Sequence, residues 1–255
     1  MEWILASGSP RRRELLGRII PDFSVQVSQV EEQRDPAWTV QELPKRLALQ
    51  KALDVSSRNR SALVIGADTI VSLDGMVLGK PRDEEDAMDM LRALSGRTHL
   101  VYTGVAFCCG GQALSSFVQC TEVDFYPLTE EQIQRYLATG EPFDKAGAYG
   151  IQGKGGLFVK GIRGDYFNVV GFPLARAAQE MERLLGADGL KEQTKKRKNA
   201  RSFQRAFLCA SCWFYRSHLS MSALIWSANL PRSLLAPPRL RRITSKSCWP
   251  IAHSR

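Results

Sequence analysis

Along the first 186 residues the apolar positions switch repeatedly between two periods. Short runs with strand character alternate with stretches in which apolar residues recur every three or four positions, and that alternation predicts an α/β domain. Trp3 to Ala6 reads as a strand; Ser9 is a good N-cap and Pro10 suits the first position of a helix that continues through Leu15 and Leu16. Phe23 to Val30 reads as a second strand leading into the polar stretch EEQRDP, and Val40 to Ser56 shows helical spacing through Leu43, Leu47 and Ala48. ALVIGADTIVSL, from Ala62 to Leu73, is the most strand-like run, and Asp74-Gly75 predicts a hairpin returning into MVLGKP. Asp83 to Leu94 predicts an amphipathic helix ending at Ser95-Gly96, followed by the strand-like HLVYTGVAFCC and SSFVQCTEVDFYP. Leu128 to Ala138 predicts a helix capped by Thr129. AGAYGIQGKGGLFV is too glycine-rich for an ordinary helix or strand, and strand character returns around Phe158 and Val159. FNVVGFPLARAAQEMERLLG then reads as a strand passing into a closing helix.

Several polar residues interrupt this pattern where they need a reason. Arg11, Arg12 and Arg13 occupy the first turn of the first helix, where the positive end of the helix dipole disfavours cations. A bound phosphate, held jointly by backbone N–H groups and guanidinium forks, removes the conflict; side chains splayed into water remove it as well. Asp68 follows the run LVIGA, where an unpaired carboxylate is costly. It is read either as a ligand-site residue at the carboxyl end of a strand or as a turn-forming aspartate. Glu31 and Glu32 form an acidic pair in a loop, Lys51 falls on an amphipathic helix with a solvated face as its default reading, and Lys80 sits between Gly79 and Pro81. Asp144 and Lys145 precede the glycine-rich segment.

Charge divides the chain. Residues 187 to 255 hold 14 Lys+Arg against 2 Asp+Glu, so that segment carries +12 and the preceding residues −3 of the overall +9. The first part, 1–186, is accordingly read as the functional domain and no general nucleic-acid binder, and 187–255 as an irregular, poorly ordered basic extension. Within the extension Cys209-x-x-Cys212, with His218, Cys248 or His253, offers a candidate zinc site, but the second half lacks paired-ligand spacing. Basic residues among Trp213, Phe214, Tyr215 and Trp226 offer nucleic acid or a membrane surface a weak footing, and nucleic acid is expected as a partner only through this segment. A shifted reading frame at the end of the gene is a further hypothesis, which resequencing the locus tests. Cysteine spacing shows no extracellular disulfide framework, and no apolar run approaches the roughly 18 residues of a membrane span, so a cytoplasmic protein with no membrane partner is expected. The glycine cluster GIQGKGG is not a Walker phosphate loop: that motif needs glycine at Ala148 and serine or threonine at Gly155. A dinucleotide fingerprint would follow the first strand, and no plausible Ser/His/Asp set accompanies His99. Basic groups at a helix start, acidic groups such as Glu32 and Asp68 for a metal or a water, and lysines for charge developing at phosphorus together outline a phosphoanhydride hydrolase.

The ordered set LASGSPRR, VEEQ, IGADTIV, LGKP, LSGRTH, EPFDKAGAYGIQG and YFNVVGFPL resembles the Maf family of nucleoside triphosphate pyrophosphatases over about residues 1 to 186. The resemblance implies a mixed sheet with flanking helices in two lobes around a substrate cleft, related to the ITPase-like architecture, in a homodimer. It also implies cleavage between the α and β phosphates with a divalent cation, Mg²⁺ or Mn²⁺. DKAGAYGIQG resembles the branch acting on dTTP and UTP; a branch acting on 7-methyl-GTP, and a nucleic-acid-binding or division-regulating role, are the alternatives. By the resemblance Asp68 is the proton acceptor that activates water, and Arg11, Thr69 and Gln152 are linked to base choice. Ser9, Arg12, Lys51, Lys80 and Lys145 then line the cleft, with Glu32 as the metal-side carboxylate. Arg13 has no counterpart role.

Overall fold

The computed structural model describes residues 2–186. The zinc, nucleic-acid and disorder readings of the basic extension fall outside the described residues. Element order is β1 (Glu2–Leu5), α1 (Pro10–Ile19), β2 (Ser24–Val25), α2 (Glu42–Arg58), β3 (Ala62–Leu73), β4 (Met76–Leu78), α3 (Glu84–Leu94), β5 (Thr98–Cys109), β6 (Gln112–Phe125), α4 (Glu130–Leu137), β7 (Val159–Arg163), α5 (Tyr166–Val170) and α6 (Leu174–Leu185). The strands form one seven-stranded mixed sheet in the order β2-β1-β3-β5-β6-β7, with β4 paired to β3 beside this path. β1 runs parallel to both β2 and β3, and the remaining pairs are antiparallel.

Local chemistry accounts for most of these boundaries. Ser9 caps α1 by accepting from the Arg12 backbone N–H, with Pro10 as the first helical residue. Asp83 caps α3, and Thr129 with Gln132 forms a reciprocal capping box on α4. β5 returns into β6 through Gly110 and Gly111, both with positive φ, as a tight two-residue turn requires. Between α4 and β7 the chain makes three short 3₁₀ turns rather than regular structure, as the glycine content predicts.

One predicted strand is much shorter than expected and another is a helix. β2 covers only Ser24–Val25 of the expected Phe23 to Val30 run. β1 offers no partner beyond Leu5, and the following backbone turns to side chains of α2 instead: Gln29 N–H donates to Asp54 and Gln33 N–H to Gln50. The FNVV run is helical, in α5, because Asp165 caps it through the Phe167 N–H and Gly171, at φ 119°, ends it in the left-handed region.

Two main apolar cores share one face of the sheet, towards opposite ends of β3. One gathers Trp3, Leu16, Ile65, Phe107, Phe172 and Met181 beneath α1 and α6. The other gathers Leu73, Leu91, Val101, Ile133, Tyr136 and Phe158 beneath α3 and α4. They meet along β3, whose first half pairs with β1 up to Leu5–Ile65 and whose last residues pair with β4 from Val71. On that edge the stretch between Ile65 and Val71 is left open, while its other edge stays fully paired to β5. The two lobes of the expected architecture are therefore present, and the gap in β3 pairing lies between them.

A third, thinner core of small residues lies under α2, including Ala48, Ala52, Val64 and Ala106. Here Gly66 and Gly104 are required by close approach: a Cβ on either would collide with helix backbone, at the Ala48 carbonyl and at Pro44–Lys45 respectively. Their absent side chains let α2 lie directly on the sheet.

Candidate active site

Asp68 sits within β3, opposite Gly104 of β5, and not at the end of its strand as the LVIG run suggested. The strand that ends here is β1, and its early stop is what exposes this part of β3. Because α2 is pressed onto Gly66 and Gly104, Lys51 reaches Asp68 along the same face of the sheet: Nζ lies 2.5 Å from Oδ1, and 2.8 Å from Glu32 Oε1. The Lys51 and Asp68 side chains are only 18% and 14% exposed, so the solvated-face reading of Lys51 gives way to a semi-buried ion pair. One ammonium thus neutralises two carboxylates. Burial alone would raise the Glu32 carboxyl, but hydrogen bonding and attraction from Lys51 and Arg34 outweigh it and hold the group below the usual carboxylate range. The second Asp68 oxygen, Oδ2, has no protein partner among the described residues.

The arginines of α1 divide by task. Arg12 turns inward, donating from Nε to the Gly171 carbonyl (3.0 Å), and from its terminal nitrogens to Ser7 Oγ (3.2 Å) and Thr69 Oγ1 (3.0 Å). Burial lowers its pKa, with Asp68 pulling the other way, and the guanidinium stays charged. Thr69 in turn lies 2.9 Å from Thr103 Oγ1, whose proton goes to the Asn168 carbonyl, so Thr69 donates to Thr103 while accepting from Arg12. Arg11 faces the cleft with Asp144 4.0 Å away, and Arg13 is exposed, in keeping with its lack of an assigned role.

The opposite wall is the irregular segment between α4 and β7. Lys145 Nζ donates to the Glu141 carbonyl (2.8 Å) and to Asp144 (2.5 Å). Gln152 is exposed on the turn closed by Gly153 N–H to the Gly150 carbonyl (3.1 Å). Gly147 N–H donates to the Gly79 carbonyl (2.9 Å), which ties this wall to the turn that carries Lys80. Tyr149 backs the wall through a 2.8 Å contact with the buried His99. Burial depresses His99 to about 4, so its ring is neutral at physiological pH.

A cleft of about 970 Å³ runs between these walls, and its lining includes Ser9, Arg11, Arg12, Glu32, Lys51, Asp68, Thr69, Lys80, Lys145 and Gln152. All the sequence-predicted site residues are thus brought to one cavity. Ser7, Glu141 and Tyr149 line it too and were missed. Glu141 and Tyr149 lie inside the EPFDKAGAYG motif, which signals the segment but not which of its side chains turn inward. The partly buried hydroxyl chain from Thr69 to Asn168 left no sequence signal. Among the described residues no cluster of three or more His, Cys, Asp or Glu forms a self-sufficient metal site. Glu32 and Asp68 converge on one cation, the Lys51 ammonium, and Glu32, the more exposed of the two, is a hard oxygen donor of the type that fits Mg²⁺ or Mn²⁺.

No helix among the described residues is long and apolar enough to cross a membrane. The chain is 51% identical over 179 residues to a Bacillus cereus protein named dTTP/UTP pyrophosphatase, covering 70% of this chain and 93% of that one. A Bacillus cytotoxicus protein of the same name is 51% identical over 181 residues, covering 71% and 94%. Among solved structures, the Staphylococcus aureus Ham1 protein is similar at a TM-score of 0.37 and 15% identity, over 49% of this chain and 72% of that one. The model of the Maf-like protein family matches residues 2–184, and with relatives at this identity the chain belongs to the Maf family.

Proposed function

We propose that this chain is a nucleoside triphosphate pyrophosphatase that hydrolyses dTTP and UTP to the nucleoside monophosphate and pyrophosphate. The observation that carries the reading is the Lys51 ammonium held between Asp68 and Glu32 in a cleft that also presents Arg11, Arg12, Lys80 and Lys145. The similarity to relatives of that name over nearly their full length supports the same reaction and substrates.

In the proposed reaction a water oxygen attacks the α-phosphorus and the bond from that phosphorus to the α–β bridging oxygen breaks. The water proton passes to Asp68, whose Oδ2 is free to accept it while Lys51 fixes Oδ1. Pyrophosphate leaves with the electron pair of the broken bond. Arg11, Lys80 and Lys145 face the triphosphate and offset its charge, and Arg12 holds the α1 entry, Thr69 and Gly171 in register. A divalent cation bound by the phosphates and Glu32 would neutralise further charge on the departing pyrophosphate. Gln152, at the rim, offers one donor and one acceptor to a pyrimidine edge. Thr69 takes part in base choice indirectly, since its hydroxyl donor is committed to Thr103.

Release of monophosphate and pyrophosphate from dTTP, UTP, CTP, GTP and 7-methyl-GTP tests the proposal. Turnover confined to dTTP and UTP is expected. Preference for 7-methyl-GTP would move the chain to another substrate branch, and no turnover by the folded protein would remove the enzymatic reading.

A further inference from the structure

The turn that carries Gln152 has almost no regular structure to hold it, yet several of its glycines pack closely on Glu141 and on the tyrosine bonded to it. Glu141 Oε2 accepts from the Lys154 N–H (3.0 Å), and Oε1 accepts from the Gly155 N–H (3.4 Å) and from the Tyr136 hydroxyl (2.9 Å). Tyr136 in turn accepts from the Gly150 N–H at 3.0 Å. The carboxylate and its tyrosine therefore grip the backbone on both sides of Gln152. The space is closely filled: a Cβ on Gly153 would fall on the Glu141 carboxylate, one on Gly150 would come within 2.8 Å of Oε1, and one on Gly155 within 2.8 Å of the Tyr136 hydroxyl. Glu141 also accepts the Lys145 ammonium at its own carbonyl, so it links that cation to the turn. Burial raises the Tyr136 pKa, which keeps the hydroxyl a donor to the carboxylate.

We propose that Glu141 is the positioning residue that aims Gln152, and that it thereby sets the base preference of the cleft. The inference rests on the pyrophosphatase reading above, in which Gln152 meets the base. Backbone N–H groups held by an ionised acceptor make stronger bonds than neutral pairs, and fixing the turn fixes the direction of the amide that follows from it. Glu141 acts through Gln152 and needs no contact with the nucleotide for this role.

The test compares kcat/KM for dTTP and CTP in the full chain, in Glu141→Ala, Glu141→Gln and Gln152→Ala, and in the double variant Glu141→Ala/Gln152→Ala, with thermal melting to monitor folding. Glu141→Ala is expected to lower the dTTP-over-CTP preference roughly tenfold, the scale of one charge-assisted hydrogen bond lost from the turn. Its kcat for dTTP at saturation should fall less than its KM rises. Glu141→Gln, which retains one acceptor oxygen, should recover part of the preference. In the double variant the preference should drop no further than in Gln152→Ala alone, because a residue acting only through Gln152 has nothing left to act on. Unchanged preference in folded Glu141→Ala, alongside lost preference in Gln152→Ala, overturns the inference and leaves the pyrophosphatase reading standing. A wild-type chain without dTTP preference removes that reading and the inference together. Should Glu141→Ala not melt cooperatively, Glu141→Gln is judged by the same criterion of preference.

Discussion

The two walls of the cleft are built in different ways. On one, Asp68 and Lys51 stand on a central strand and a long helix that touch backbone to backbone over Gly66 and Gly104. On the other, Lys145 and Gln152 stand in the links between short 3₁₀ turns, held by single side chains, Glu141 and Tyr136 above all. Regular elements fix a side chain through many interactions at once, so the groups proposed for proton transfer and charge neutralisation are placed where small displacements would be most harmful. A loop held by a few replaceable hydrogen bonds can change its aim without disturbing the sheet. The proposed base reader sits there, which lets substrate choice change while the chemistry is retained.

The comparison breaks most sharply at Asp68. Asp68→Asn should lower kcat about 10²- to 10⁴-fold with little change in melting temperature, the usual range for loss of a general base; the monophosphate assay reads it. Retained turnover would deny the strand-and-helix wall its chemical role.

The next largest effect comes from His99, on β5 behind the irregular wall, and appears in stability. His99 is buried and neutral, and its folded pKa of about 4 lies below the unfolded value near 6.5. The unfolded chain therefore binds more protons between those values, and the contribution is complete above about pH 6.5 and lost as pH falls towards 4. A decline of roughly 3 kcal/mol in unfolding free energy over that window is expected from this group. Urea titrations at stepped pH would read it, and the His99→Gln chain should lack that portion of the slope.

Gly104→Ala sharpens the comparison from the regular wall. Its Cβ would meet the Pro44–Lys45 backbone, so α2 must lift or the strand must bow, at a cost of about 1–3 kcal/mol. Because Lys51 rides on α2, activity should fall with stability, by more than a stability loss alone explains at a temperature where the variant is fully folded. Gly75→Ala meets no neighbouring atom within 4 Å, although φ is 81° there, and should cost only the backbone strain, about 1 kcal/mol, with activity unchanged.

The regular wall was largely legible in the sequence. The β3 run Ala62–Leu73 and the caps at Ser9 and Thr129 depend on local pattern and local chemistry, and they appear where the sequence puts them. Lys51 was misread on residue grounds because helical periodicity reports which face is apolar; it does not report that two glycines on different strands bring that helix close enough for its lysine to reach a carboxylate on the strand beneath. The short β2 and the helical FNVV failed for a related reason. Strand propensity in Phe23 to Val30 and in Phe167 to Val170 was overridden by the absence of a pairing edge in one case and by Asp165 and Gly171 in the other. In the irregular wall the motif located the site, but Glu141 remained hidden because its role lies in backbone N–H groups more than ten residues away.

The most direct measurement of the central claim is steady-state release of pyrophosphate from dTTP and UTP with Mg²⁺, comparing the full chain, residues 1–186 and Asp68→Asn. The account predicts matched turnover for the two lengths and near-complete loss in the Asp68 variant. Equal turnover in the Asp68 variant, or none in a folded wild-type chain, would contradict it.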